Sequence, residues 1–307
     1  MSPLVSLGIP VYNGSPLIER AIVSLLKQDF CDFELIVVDN ASTDGTRDLV
    51  TELARQDPRI RYYRNSENIG AARNFNRCFE LSRGTYFKWS AHDDAHEPSF
   101  LRRCLERLET RPDAVLSFTE MAVEDRDGRV FRYQSDPLEG ADSSNVVRRF
   151  HEILWGITDP TAPIFGLIRT SVLRRTGLIR NTPEPDRVLL GELSLYGAFL
   201  CIPEPLFLHR GPPGHESHYA SEDVRQSRRS WEWLDPKNSR RFKLATPRIV
   251  KHHFGALVIA DMDWTSKLVC AADLCIAAVT LRTRSKVRRL RQRWASGPAH
   301  LGMVNPR

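Results

Sequence analysis

Short apolar runs alternate with helix-length segments through the first 120 residues, and that alternation leaves few folds open. Residues 4–9 and 33–38 are apolar runs that read as strands, and 60–64, 86–90 and 114–118 read as three further short strands. Between them, residues 16–28, a stretch after Gly45 reaching about Arg55, residues 70–82 and residues 98–110 read as helices. In the first of these, Leu17, Ala21 and Leu25 fall on one face, with Ile22 and Leu26 beside them. Pro10 is expected to stop the first strand, Gly84 to act as a C′ glycine, and Pro98 to sit in the first turn of its helix. Strands separated by helices of about 10–15 residues specify a parallel sheet covered on both faces. Ligands bind such sheets beyond the carboxyl ends of the strands. The candidate contacts are therefore Pro10–Asn13, Asp39–Asp44 and His92–Asp94, after the first, second and fourth strands.

Beyond Phe118 the alternation stops. Asp127-Gly128 predicts a hairpin turn between 121–124 and 129–133. Residues 142–155 read as a helix, and 160–169 as an apolar, proline-bracketed segment. Asp186 opens a helix that ends at Gly197. Two strand-like runs, 199–202 and 206–209, flank Pro203 and Pro205. Residues 211–240 read as a flap, and helix resumes from about Pro247. This divides the chain into a half at 1–120, a second half of the same domain at 121–218, and an extension at 219–307.

Charge is uneven. The net charge is +6, of which residues 282–307 contribute eight basic side chains and no acid, so the preceding residues carry −2. A nucleic-acid enzyme spreads basic charge over its binding face, and this pattern argues against one. The six cysteines form no CxxC pair, which favours reduced thiols over a disulfide framework or paired metal ligands. The first residues lack the basic-then-apolar pattern of a signal peptide, so a cytoplasmic location is expected.

Several residues carry chemistry. Asp93 and Asp94 are adjacent carboxylates past an apolar strand; they either cap the next helix or share a divalent cation that in turn grips a diphosphate. Asp39 either accepts hydrogen bonds from a base or ribose, or closes its own turn onto Ser42 or Thr43. Arg73 opposes the helix dipole in the first turns of its helix, which favours a ligand role. Asp186 is either a helix N-cap or a general base. His209, His215 and His218 follow at irregular spacing, and no rule selects one as a metal or phosphate contact.

Together, residues 5–13, 35–46, 68–74 and 84–86 resemble the first strand, second strand and loop, and metal-motif approach of the family-2 inverting glycosyltransferases. The resemblance is strong over about 4–120, looser over 121–218, and absent beyond. It implies a GT-A fold, Rossmann-like and mostly parallel, with a helical C-terminal extension. It implies a nucleotide-diphosphate sugar donor surrounded by Pro10, Val11, Tyr12, Asn13, Asp39, Arg73 and His92. It implies Mn²⁺ or Mg²⁺ on Asp94, with Asp93 beside the ribose or metal and His215 a further ligand candidate. Asp186 falls where the family carries its catalytic base, and the acceptor would be a glycan, a lipid-linked molecule or a small molecule. The family usually shows Asp-x-Asp-Asp at this point, and this chain has Ala91-His92-Asp93-Asp94, so the first acid is missing. That departure keeps open a non-catalytic nucleotide-sugar-binding or scaffold protein on the same fold.

Two other enzyme classes fit less well. A nucleotidyltransferase would want a Gly-rich basic loop where Pro10–Gly14 stands. A glycosidase needs carboxylates on opposite sides of one sugar, which Asp93 and Asp94 cannot readily supply. Residues 268–281 are apolar apart from Asp273 and Thr280, and too short to span a bilayer. With the basic residues that follow, 268–293 are expected to be either a packed helix with a solvated end, or a contact with the anionic inner face of the cell membrane.

Overall fold

The computed structural model describes residues 2–125, 127–134, 138–157, 159, 161–182, 184–210 and 245–295. The first half folds as its periodicity dictates. Strands β1 (Val5–Val11), β2 (Phe33–Asp39), β3 (Ile60–Arg64) and β4 (Tyr86–Trp89) alternate with helices α1 (Leu17–Leu26), α2 (Thr46–Gln56) and α3 (Ala71–Glu80). These four strands pair in parallel in the order β3-β2-β1-β4. A two-residue strand β5 (Ala95–His96), which the sequence did not announce, precedes α4 (Phe100–Glu109).

The second half departs from strict alternation. After β6 (Ala114–Glu124), β7 (Val130–Gln134), α5 (Val146–Trp155) and α6 (Thr161–Ile164), a short β8 (Leu167–Arg169) inserts antiparallel between β4 and β6. Then come α7 (Thr170–Leu173), α8 (Pro185–Ser194) and β9 (Ala198–Arg210), which runs parallel to β6. The full order is β3-β2-β1-β4-β8-β6-β9-β5, with β7 on β6. β8 covers only Leu116–Ser117 of β6, so the same edge stays open further along and β7 pairs with Met121–Glu124 there. The expected hairpin forms, with Gly128 at φ +77° and a register shift at Val123/Glu124.

Three sequence expectations need correction. Pro10 does not end β1: Gly8 O accepts from Ser90 N, so the Pro10 nitrogen, two residues on, faces the side where β4 pairing has already ended at Trp89. Pro203 and Pro205 do not split β9: the register with β6 slips between Thr119 and Met121, and the other edge meets β5 only at Phe207 and Leu208. Gly84 is not a left-handed cap: a Cβ there would lie 2.7 Å from Ser6 N and 2.8 Å from Val5 C, so it is needed where its backbone presses on β1.

Apolar side chains fill both faces of the sheet. One layer gathers Ile9, Ile18, Leu35 and Leu101; the other gathers Ile36, Phe87, Trp89 and Leu190. Two C-terminal helices, α9 (Ala245–Ile259) and α10 (Trp264–Ala295), dock through a third cluster containing Phe150, Leu195, Leu257, Cys270 and Leu274. Residues 211–244, which include the expected flap, lie outside the described residues, as do 296–307.

Gly84→Ala is expected to lower the unfolding free energy by about 1–3 kcal/mol, because backbone rather than a flexible side chain must move; urea unfolding measures it.

Candidate active site

At the carboxyl end of β1, Pro10 and Val11 are buried while Tyr12 and Asn13 are exposed. Asn13 takes φ +53° and is held by the β2 loop: its N–H donates to Ser42 Oγ (2.9 Å) and its Oδ1 accepts from Thr43 N (2.8 Å). Gly14 N donates to Thr46 Oγ1 (2.9 Å), and a Cβ on Gly14 would meet His92 Cδ2 at 2.9 Å. The loops after β1, β2 and β4 therefore touch.

Asp39 is fully buried beneath them. Its Oδ1 accepts from Ser42 N (2.8 Å), and its Oδ2 from the Tyr62 hydroxyl (2.8 Å) and Arg64 Nε (3.1 Å). The turn-closing alternative thus holds for Asp39, and both oxygens already serve the protein. Four asparagines continue the lock. Asn65 Nδ2 donates to Asn40 Oδ1 and Asn74 Oδ1, Asn40 Nδ2 to Asn68 Oδ1, and Asn74 Nδ2 to Val38 O, all at 2.8–2.9 Å. This fixes the start of α3, where Arg73 is exposed.

Beyond β4 the geometry is more telling. Asp94 is 1% exposed. Its Oδ1 accepts from Arg210 N (2.9 Å) and lies 2.9 Å from His209 Nδ1, which must be the donor to a carboxylate. Its Oδ2 is buried with no hydrogen-bond partner among the described residues. Burial, then the Asp94 charge, push the neighbouring Asp93 carboxyl up, although about a third of that side chain remains open. His209 is raised: burial opposes its charged form, but the bond to Asp94 and the charges of Asp93 and Asp159 outweigh it.

Asp186 lies in the first turn of α8 rather than at its N-cap. Glu184 occupies the cap in a left-handed conformation, with Pro185 next. Asp186 Oδ1 accepts from Arg187 N (2.9 Å), and burial pushes the Asp186 carboxyl up. Helix α8 is braced by Glu192, buried and bonded to Arg180 Nη2 (2.8 Å) and Gly177 N (2.7 Å).

The segment 157–166 joins the two acidic regions. Arg187 Nη1 donates to Ile157 O (2.9 Å), which seats this segment against the head of α8. Asp159 Oδ1 accepts from Thr161 N (2.9 Å), and the Asp159 charge raises both His209 and Asp186. At the far end, Phe165 O accepts from Lys88 Nζ (2.5 Å) on β4. Lys88 is fully buried under Phe100 and Phe207, and burial pushes its ammonium down to about 7. Asp159 thus stands within charge range of both His209, which is bonded to Asp94, and Asp186.

Of the histidines, His209 meets Asp94; His215 and His218 lie outside the described residues. Sequence reasoning missed Asp159 and Lys88. A lysine in an otherwise apolar strand was the available signal for the second; Asp159 had none beyond its proline-bracketed loop. Among the described residues no group of three or more His, Cys, Asp or Glu side chains is arranged to hold a metal ion.

A mainly parallel sheet with paired carboxylates past β4 and a separate acid at the head of a later helix has the GT-A architecture of glycosyltransferases. Residues 6–175 match the Glycosyl transferase family 2 model, more than half of the chain, and the protein belongs to that family. It is 37% identical over 126 residues to the putative teichuronic acid biosynthesis glycosyltransferase TuaG of Bacillus subtilis, covering 41% of this chain and 50% of that protein. The chain spans half or less of the length of the first curated relatives it matches. The fold is similar to that of S. aureus TarS in complex with UDP-GlcNAc (TM-score 0.63, 18% identity, covering 91% of this chain and 73% of that one). It is also similar to the mannosyltransferase PcManGT of Pyrobaculum calidifontis in complex with GDP-Man and Mn²⁺ (TM-score 0.54, 18% identity, covering 91% and 87%).

Lys88 has a pH signature. Its folded-state value near 7 lies below the ordinary lysine value, so the unfolded chain binds more protons between pH 7 and about 10, and stability rises with pH there. Urea unfolding should show wild type gaining on Lys88→Met by up to about 1.4 kcal/mol per pH unit from pH 7 to 9.

Proposed function

We propose that the protein transfers a sugar from a nucleotide-diphosphate donor to an acceptor hydroxyl with inversion, Asp186 serving as general base. The observation that carries this reading is a buried Asp94 oxygen without a hydrogen-bond partner among the described residues, together with a separate acid, Asp186, at the head of α8, whose carboxyl is raised by burial. The UDP-GlcNAc complex of TarS and the GDP-Man complex of PcManGT support the donor class.

Tyr12, Asn13 and Arg73 border the loops that would receive the base and ribose, and Asp39 keeps those loops in shape. His92, packed on Gly14, extends this wall toward Asp93. The residues present fit a divalent cation: a buried carboxylate oxygen without a hydrogen bond is costly, and hard oxygen donors suit Mg²⁺ or Mn²⁺. Asp94, with Asp93 beside it, would hold the ion, the remaining positions falling to diphosphate and water. When bound, such an ion neutralises charge on the departing diphosphate. Asp186 takes the acceptor hydroxyl proton as that oxygen bonds to the anomeric carbon and the carbon–phosphate-oxygen bond breaks. The electron pair leaves with the nucleoside diphosphate, and a single displacement inverts the centre. The name of TuaG favours a cell-envelope glycan as acceptor class.

Asp186→Asn should cut turnover by about 10²-fold or more while donor binding persists. Because Asp186 works deprotonated and its carboxyl is raised, the acid limb of the wild-type rate profile should lie above the ordinary carboxylate range. Near-normal turnover in the variant removes Asp186 from the role; absence of donor turnover in wild type with Mn²⁺ favours the non-catalytic alternative.

Asp94→Ala should abolish the Mn²⁺-dependent part of donor binding in calorimetry with UDP- and GDP-sugars. Unchanged binding would overturn the cation assignment.

A further inference from the structure

Helix α10 is apolar on both its packed and its open side. Cys270, Leu274 and Ala277 are buried against the cluster that holds Phe150 and Leu257. Asp273 pins the same face to α5, accepting from Trp155 Nε1 (2.8 Å) and lying 2.9 Å from His151 Nδ1. The helix therefore cannot rotate to hide its other side. There, Trp264, Leu268, Ile276 and Val279 are 78%, 69%, 59% and 62% exposed, and exposed Cys275 falls among them. At 3.6 residues per turn these positions form one stripe. Val258 and Ile259, at the end of α9, are exposed as well.

The backbone stays helical through Ala295, and residues 282–293 contain seven basic residues and no acid. Arg282, Lys286, Arg289 and Arg293 follow Val279 at intervals of three and four, so their spacing continues the period of the apolar stripe. No helix among the described residues is long and apolar enough to cross a membrane.

We infer that α10 seats the protein on an anionic lipid leaflet, its apolar stripe entering the headgroup boundary and its basic half facing acidic headgroups. Trp at such a boundary and a helix with an apolar half beside a basic one are the expected chemistry. A second copy of this chain is a poorer occupant: a parallel pair along this helix would bring two basic segments together, and an antiparallel pair would cover the stripe but leave both basic segments without an acidic partner.

The test is flotation of the full chain with vesicles of phosphatidylcholine alone and of phosphatidylcholine mixed with phosphatidylglycerol, at low and high salt. Binding is expected to the mixed vesicles only, weakening as salt rises. The triple variant Leu268→Gln, Ile276→Gln, Val279→Gln should weaken it at least about tenfold, since these exposed side chains support no core. The quadruple variant Arg282→Gln, Lys286→Gln, Arg289→Gln, Arg293→Gln should weaken it on the order of 100-fold. An environment-sensitive dye on Cys275, in a Cys31→Ser background, should shift to the blue with mixed vesicles. Equal binding to neutral vesicles, or no binding to mixed ones, overturns the inference. So does a wild-type dimer in sedimentation velocity that the triple variant renders monomeric. Donor turnover in solution is unchanged in these variants, so failure here leaves the catalytic reading intact.

Discussion

Asp94 is buried at the carboxyl end of the fourth strand with one oxygen bonded to the last strand and the other without a partner among the described residues. Taking a carboxylate out of water is costly unless its lone pairs are satisfied. The protein does half of this itself, through His209 and the Arg210 amide. Under the proposed function, the unmatched oxygen is where an added cation has the most to gain.

The scaffold keeps that oxygen in place from below. Lys88 lies buried on the same strand, and its ammonium reaches across to Phe165 O. That bond ties the 157–166 segment to β4, while Arg187 ties the other end of the segment to the head of α8. Asp186 thereby sits on a helix braced by Glu192, and Asp159 stands in the joining loop. Movement of any one of these pieces would shift the head of α8, which carries Asp186, relative to the strand that leads into Asp94. The loops after β1 and β2 have their own lock in Asp39 and the four asparagines, so these loops and the head of α8 are held by separate networks.

Much of the first half was legible. β2 matches its apolar run closely, because a buried parallel strand reads as a short continuous apolar stretch; β3, a half-exposed edge strand, was placed by its position in the alternation. His92, Asp93 and Asp94 do follow such a stretch, just past β4. Gly84 was misread because the sequence records a small residue but not the strand pressed against it. Pro10 and the Pro203/Pro205 pair were misread because a proline is tolerated wherever its missing N–H faces an unpaired edge, and edges belong to the sheet as a whole. The role of Asp186 as an acid at a helix start was visible, yet the cap itself fell to Glu184, whose left-handed backbone has no sequence signal.

The sequence by itself determined the class of fold and the identity of the acids at the strand ends, since strand and helix periods and the turn residues between them act over a few neighbours. Only the tertiary structure decided that β8 would run antiparallel between β4 and β6, that His209 would reach Asp94 across 115 residues, and that Asp159 would stand near both His209 and Asp186. It alone decided which side of α10 is packed and which is open. Those outcomes depend on which distant segments the closing sheet brings together, and no local pattern of side chains encodes a partner that lies a hundred residues away.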